Sequence, residues 1–307
     1  MPLTPAQHDR ALGVMLGTAC GDALGAGYEF GPPLDASTEV RMKGGGTFNW
    51  APGEWTDDTS MAIVLLEEFL TRDDTVLDRV TARWAEWAST APDVGIQTRS
   101  ILSSAPTTSA RDVAAAAQRH LELTGRAGGN GSLMRTAPLA LFFLDDASAL
   151  AEMARTVSDL THPDPEAGDA CVIWSLAIRH AVLTGETDLR AQLAAIPTER
   201  RAIWATRLDD AERLQPADFD QNGWVVQALQ GAWSAIHHGS GLVDSLERAV
   251  RGGRDTDTVA AIAGGLAGAR GGASAIPQAW VDIVHGWPGL RADDLARLMR
   301  ATLHSAT

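Results

Sequence analysis

Thr56-Asp57-Asp58-Thr59-Ser60-Met61-Ala62-Ile63-Val64-Leu65-Leu66-Glu67-Glu68-Phe69-Leu70 reads as the opening and body of a helix. Met61, Val64, Leu65, Phe69 and Leu70 return at helical spacing, which gathers them on one buried face. Thr56, Asp57 and Asp58 stand where such a helix starts, and exposed amides together with the macrodipole favour oxygen-bearing and acidic side chains there. A second cluster, Asp255-Thr256-Asp257-Thr258, opens the alanine-rich run Val259 to Ala269 in the same way. Helical periodicity also marks residues 80–87, 113–123, 147–160, 170–183, 224–237, 242–250 and 293–303, while strand-like alternation is scarce. The expected fold class is all-α, and the absence of a repeat or linker-like segment points to one compact multi-helix domain over residues 1–307.

Outward from these clusters, Thr4, Pro5 and Gln7 form a capping-box start for a first helix. That helix leads through Leu12, Leu16 and Ala19 into Gly21-Asp22-Ala23-Leu24-Gly25-Ala26-Gly27, where small residues permit close approach of backbone or ligand. Gly31 to Gly53, with Pro32-Pro33 and Gly44-Gly45-Gly46, is expected to be a long loop, and such a loop is usually functional. The 39 acidic and 25 basic residues leave a net charge of -14, which argues against general attraction to nucleic acid or anionic membranes. Cys20 and Cys171, the only cysteines, lie in apolar helical stretches and suit buried thiols in a reducing compartment. No uninterrupted apolar run of about 18 residues and no signal-peptide pattern is present, so a cytoplasmic protein with no membrane partner is expected.

Paired acids and hydroxyls are the ligands of hard divalent cations. Either cluster alone is equally well an ordinary helix cap. Brought together, Asp57, Asp58, Asp255 and Asp257 would repel one another unless their pKa values rose or cations intervened, and four carboxylates balance two Mg²⁺ or Mn²⁺ ions. Thr56 and Thr258 add neutral hydroxyls. Gly129-Asn130-Gly131-Ser132 is a small-residue turn whose bare amides suit pyrophosphate oxygens, although no strand precedes it as a dinucleotide fingerprint requires. His162 and Asp93, taken singly, are a hydrogen-bonding histidine and a turn aspartate. Asp22 reads as a residue that orients a neighbour or caps a turn. Trp50, Trp55, Trp84 and Trp87 suit core filling before a pocket mouth.

Five segments in order, Gly21-Asp22-Ala23-Leu24-Gly25 with Glu29, Trp55-Thr56-Asp57-Asp58-Thr59, Gly129-Asn130-Gly131-Ser132-Leu133-Met134-Arg135, Thr161-His162-Pro163 and Gly253-Arg254-Asp255-Thr256-Asp257-Thr258, resemble the ADP-ribosylglycohydrolase family. The resemblance implies an orthogonal all-α fold, a binuclear Mg²⁺ centre with Mn²⁺ as the alternative, and a substrate in which ADP-ribose is joined to a protein side chain. On this resemblance Thr56, Asp57, Asp58, Asp255, Asp257 and Thr258 are metal ligands, and Glu29 with Asp58 serves catalysis at the scissile bond. Gly129, Asn130, Gly131, Ser132 and His162 contact ADP-ribose, the product, and Asp93 faces a target guanidinium. Ala127 and Gly128 stand where some relatives carry an aromatic residue, so the adenine platform is expected elsewhere, with a tryptophan as candidate. Arginine linkage is favoured over serine-linked, nucleic-acid-linked or small-ester ADP-ribose. A non-catalytic ADP-ribose binder is the second reading. An isoprenoid-synthase-like magnesium enzyme fits poorly, because the second cluster lacks the Asn/Ser/Glu spacing and the glycine-rich and Thr-His-Pro segments stay unexplained.

Overall fold

The first helix begins as its sequence dictates, with the Thr4 side chain capping the Gln7 amide and the Gln7 side chain returning to the Thr4 amide. The computed structural model describes residues 3–305. Among them are fifteen α-helices. They are α1 (Pro5–Gly25), α2 (Asp57–Glu68), α3 (Val76–Ala88), α4 (Ile96–Ser104), α5 (Ala110–Thr124), α6 (Leu139–Phe142), α7 (Ala147–Asp159) and α8 (Pro165–Thr184). After these come α9 (Leu189–Gln192), α10 (Thr198–Arg213), α11 (Val225–His238), α12 (Leu242–Arg251), α13 (Thr256–Gly271), α14 (Gln278–Val281) and α15 (Ala292–Ser305). Two antiparallel two-residue strands, β1 (His285–Gly286) and β2 (Leu290–Arg291), are the only named strands described. The fold is all-α, and every periodic segment read from the sequence lies within or at the edge of a helix.

The centre of the fold is the antiparallel pair α1 and α13. Gly13, Gly17, Gly21 and Gly25 fall one turn apart on α1 and meet Gly268, Gly264, Ala260 and Asp257 in turn. A Cβ at Gly13 or Gly17 would lie 2.2 Å from the facing carbonyl oxygen, and one at Gly21 would lie 2.1 Å away. Glycine inside a helix costs roughly 0.5–1 kcal/mol relative to alanine. Here that cost is offset by backbone-to-backbone packing that a larger residue would prevent. The glycine-rich stretch therefore lies within α1, which continues to Gly25 before a 3₁₀ turn at Ala26–Tyr28. The seam also sets the site, because it holds the start of α13 against the end of α1, with the Thr256 hydroxyl donating to the Gly25 carbonyl at 2.9 Å.

Gly17→Val places a branched side chain against the backbone of Gly264, which cannot swing aside. The expected result is a loss of about 3 kcal/mol or more, the upper range for overpacking. In thermal unfolding this appears as a fall in Tm of roughly 5–10 °C. A melting curve matching the parent would refute the tight seam.

Around this pair one large apolar core includes the fully buried Trp55, Trp84, Trp174 and Trp204. The buried indoles of Trp84 and Trp174 donate to the carbonyls of Met61 and Ile262, both at 3.1 Å. Residues 31–53 form the expected loop, but it is anchored. Val40, Met42 and Trp50 are buried, and Gly45 and Trp50 exchange backbone hydrogen bonds. No described helix is long and apolar enough to cross a membrane.

Candidate active site

Asp22, one turn before the end of α1, reaches across to the opening of α2. One carboxylate oxygen accepts from the Thr56 amide at 2.9 Å and hydroxyl at 2.8 Å, and the other from the Thr59 amide at 3.0 Å and hydroxyl at 2.6 Å. Thr56 makes no side-chain cap of its own, so α2 is capped from another helix. This frees the Thr56 hydroxyl to lie 3.2 Å from Asp58 Oδ2 and 3.4 Å from Asp257 Oδ2. The Thr258 hydroxyl lies 3.4 Å from the same Asp58 oxygen. The two acidic clusters, about two hundred residues apart in sequence, thus share one junction.

Asp255, the residue before α13, is held by Asn130, whose side-chain amide donates to Asp255 Oδ2 at 2.7 Å and to the Asn222 carbonyl at 2.9 Å. Asn222 in turn accepts from the Asp255 amide and donates to the Gly253 carbonyl. Glu29 is brought to the same place by a backbone bridge, with the Phe30 amide donating to the Arg254 carbonyl at 2.6 Å and the Arg254 amide to Gly31 at 2.7 Å. Both Phe30 (φ 61°) and Arg254 (φ 66°) are left-handed, a conformation costing about 1–3 kcal/mol in a residue with a side chain. The bridge is what holds them there, beside the carboxylates.

Among the described residues, two groups of three acids are spaced to hold a metal ion, Asp22 with Asp58 and Asp257, and Glu29 with Asp255 and Asp257. In each group one oxygen per residue lies within 4.8 Å of the others, and Asp257 belongs to both. Asp58 Oδ1 and Glu29 Oε2 are buried without a hydrogen-bond partner, which a cation would satisfy. Asp57 stands outside both groups, and its Oδ2 accepts from the Gly95 amide at 3.3 Å. Asp22 and Glu29 join instead, a role that the expected ligand set did not include.

Burial first, and then mutual repulsion, raises these acids. The Glu29 carboxyl is pushed up to about 9 by burial and by Asp93, Asp255, Asp57 and Asp22. Asp57, Asp58 and Asp257 are driven well above the usual carboxylate range by burial and their acidic neighbours. Asp255 is raised by burial against its bond from Asn130. Burial takes Asp22 up to about 6 despite four hydrogen bonds, and takes Asp93 up to about 6 with help from Asp22 and Asp255. A bound cation reverses this trend by supplying the missing positive charge.

A pocket of about 480 Å³ opens over this centre. Its lining includes Glu29, Asp57, Asp255, Asp257 and Thr258 of the centre, Gly129, Asn130 and Gly131 of the loop, His162, and Asp93. Ser132 is buried behind the loop, where its hydroxyl receives the Cys171 thiol at 3.5 Å. The phenyl rings at the pocket are those of Phe30 and Phe48, 6.4 Å apart, and among the described residues no tryptophan lines it. The His162 ring packs against the loop so closely that a Cβ at Gly131 would sit 3.0 Å from Nε2.

Behind His162 lies Arg135, fully buried and facing the Trp84 ring at 4.0 Å. Its guanidinium donates to the Thr161 hydroxyl at 2.6 Å, and that hydroxyl lies 2.8 Å from His162 Nδ1. With Arg135 donating, the hydroxyl proton is free for Nδ1, and the ring then presents Nε2–H to the glycine loop, a tautomer assigned from hydrogen-bond roles. Burial, Arg135 and His120 hold the ring neutral, well below its ordinary pKa. Arg135 closes the 129–135 segment that carries the family resemblance, but no role was read for it there, and Asn222, a lone asparagine between glutamine and glycine, carries no periodic or motif signal of its own.

Fold and site together define an all-α enzyme with a buried, oxygen-rich centre beneath a glycine-lined pocket. Residues 3–306 match the ADP-ribosylglycohydrolase family, and the chain belongs to that family. It is an enzyme of the ADP-ribosylglycohydrolase type, a hydrolase of glycosidic bonds. It is 32% identical over 291 residues to the ADP-ribosylarginine hydrolase Tri1 of Pseudomonas putida (strain GB-1), covering 92% of this chain and 76% of that one. It is 29% identical over 289 residues to the ADP-ribosyl-[dinitrogen reductase] glycohydrolase of Rhodospirillum rubrum, covering 90% of each. Among solved structures, an ADP-ribosylglycohydrolase-related protein complex matches 99% of this chain and 100% of its own, with a TM-score of 0.77 and 30% identity.

Proposed function

We propose that this protein releases ADP-ribose from arginine side chains of modified proteins by hydrolysing the bond between the distal ribose and the guanidinium. The observation that carries this reading is the convergence on one pocket of the acidic centre, Glu29, the 129–131 loop, His162 and Asp93. The relatives named for ADP-ribosylarginine and for ADP-ribosylated dinitrogen reductase support it. Residues 1–307 act as one domain, in the cytoplasm.

In this reading Thr56, Asp57, Asp58, Asp255, Asp257 and Thr258, joined by Asp22 and Glu29, surround two Mg²⁺ ions or their Mn²⁺ equivalents. An all-oxygen donor set suits those hard ions. When bound, they supply Lewis acidity and orientation for ribose hydroxyls and a water. The chain's own residues do the rest. The glycine loop amides and His162 Nε2–H hold the diphosphate, and Asp93 pairs with the guanidinium. Hydrolysis adds a water oxygen to the anomeric carbon, breaks the C–N bond, and returns a proton to the leaving nitrogen. Glu29, which lines the pocket beside the centre, is the residue that manages this proton. The remaining carboxylates are committed to the centre, so the usual pair of glycosidase acids is not used.

Defined peptides carrying arginine-linked or serine-linked ADP-ribose, incubated with Mg²⁺ or Mn²⁺, are expected to yield free ADP-ribose from the arginine-linked peptide, with loss of release on chelation. ADP-ribose binding without release from any substrate would assign the fold a binding role instead.

A further inference from the structure

On the far side of Asp57 and Asp93 lies a second recess of about 340 Å³. Among the described residues, these two aspartates alone line both cavities. Its walls carry Trp50, Trp55, Trp87 and Trp287, and among the described residues no lysine, arginine or histidine lines it. Glu54 adds a third carboxylate at the same lining. Trp50, Trp55 and Trp87 are buried, Trp287 is half-buried, and the Trp55 indole donates to the Trp287 carbonyl at 3.1 Å. Trp50, nine-tenths buried, has an Nε1 with no hydrogen-bond partner.

We infer that this tryptophan-lined recess is the subsite for the leaving arginine side chain, with its guanidinium beside the tryptophan wall and the carboxylate of Asp93. The inference rests on the arginine-directed reading above. Two observations support it. The recess shares its wall with the pocket proposed for ADP-ribose, so a group leaving the distal ribose across Asp57 and Asp93 enters it directly. Its charge is negative and its faces are flat and aromatic, which favours a planar delocalised cation over an ammonium and over a neutral serine side chain. Elsewhere in the molecule the same stacking recurs, with Arg135 at 4.0 Å from the Trp84 ring and Arg207 at 4.7 Å from the Trp204 ring. Arg83, which is outside the recess lining, lies 5.8 Å from the Trp287 ring, so that indole already accepts a guanidinium.

The test uses Trp287→Ala, with Trp287→Phe as the conservative variant, because Trp287 is the least buried of the four indoles. Trp287→Ala is expected to raise KM for an arginine-linked ADP-ribosyl peptide roughly tenfold. Affinity for free ADP-ribose, measured by calorimetry with Mg²⁺, should stay within about twofold, since the product lacks the arginine. Trp287→Phe should recover most of the loss. An unchanged KM, or KM and ADP-ribose affinity failing together, would overturn the subsite. A second arm needs no turnover: Nα-acetyl-arginine methylamide should quench the tryptophan fluorescence of the parent enzyme saturably, and the isosteric citrulline compound should not. Failure of the parent enzyme to cleave arginine-linked ADP-ribose would refute the functional reading, whereas equal or absent response to the arginine and citrulline probes would refute the recess as a guanidinium site.

Discussion

Asp257→Asn is expected to lower kcat by about 10³-fold or more, the scale of one preorganised electrostatic group, and to abolish tight binding of Mg²⁺ or Mn²⁺ by calorimetry. Asp257 is the one residue common to both acid groups, so its loss strikes Asp22 and Asp58 on one side and Glu29 and Asp255 on the other. The substitution keeps the volume and leaves an oxygen to accept from the Thr258 amide, a bond of 2.9 Å in the parent. It removes one negative charge from a buried set in which Glu29, Asp58 and Asp255 already repel it. The metal-free variant should therefore melt no lower than the metal-free parent, while the rise in Tm on adding metal disappears. That pairing separates a ligand from a merely structural aspartate. A variant that loses activity and also loses metal-free stability, yet still gains stability from metal, would show that Asp257 supports the fold and not the centre.

The two helix openings were legible because they combine a 3.6-residue apolar period with oxygen-rich starts, both local properties of the chain. Their meeting was not local. It depends on the α1–α13 seam, and glycines inside a helix read as sites of close approach without saying what approaches. Only the facing positions, Gly264 and Gly268 on a helix some two hundred and fifty residues later, turn Gly13, Gly17, Gly21 and Gly25 into a packing surface. Asp22 was read as an orienting or capping residue, and it does cap α2, yet the same carboxylate lies beside Asp58 and Asp257. The tryptophans show the same limit. Trp84 is core, as its spacing suggests, whereas Trp50, Trp55 and Trp87 are buried and also line a recess, a distinction set by what folding brings beside each ring. A tryptophan was the candidate adenine platform, yet among the described residues none lines the pocket, where the phenyl rings are those of Phe30 and Phe48.

The metal-free protein is expected to lose thermal stability as pH rises from about 5 to about 9, and added Mg²⁺ or Mn²⁺ should restore it most at the alkaline end. The sign follows from the raised carboxyls. Glu29 moves from 4.5 to about 9 on folding, so between those values the folded chain holds a proton that the unfolded chain has released. Asp22 and Asp93 act likewise between 3.8 and about 6, and Asp57, Asp58 and Asp257 are raised in the same direction. Where the folded state binds more protons, stability falls with increasing pH, so this contribution is complete below the unfolded pKa values and lost through the folded ones. A divalent ion competes for the same oxygens, releases those protons and binds more tightly as they leave. The difference in Tm between metal-loaded and chelated protein should thus grow by several degrees from pH 5.5 to pH 8.5, and proton release on metal binding should be measurable by calorimetry in buffers of different ionisation enthalpy. Glu29→Gln removes a group whose carboxyl is pushed up to about 9 and should reduce the metal-free slope above about pH 6. A metal-free Tm that climbs with pH across this range, or a metal effect independent of pH, would contradict a centre built from repelling, protonated carboxyls that a cation converts to ligands.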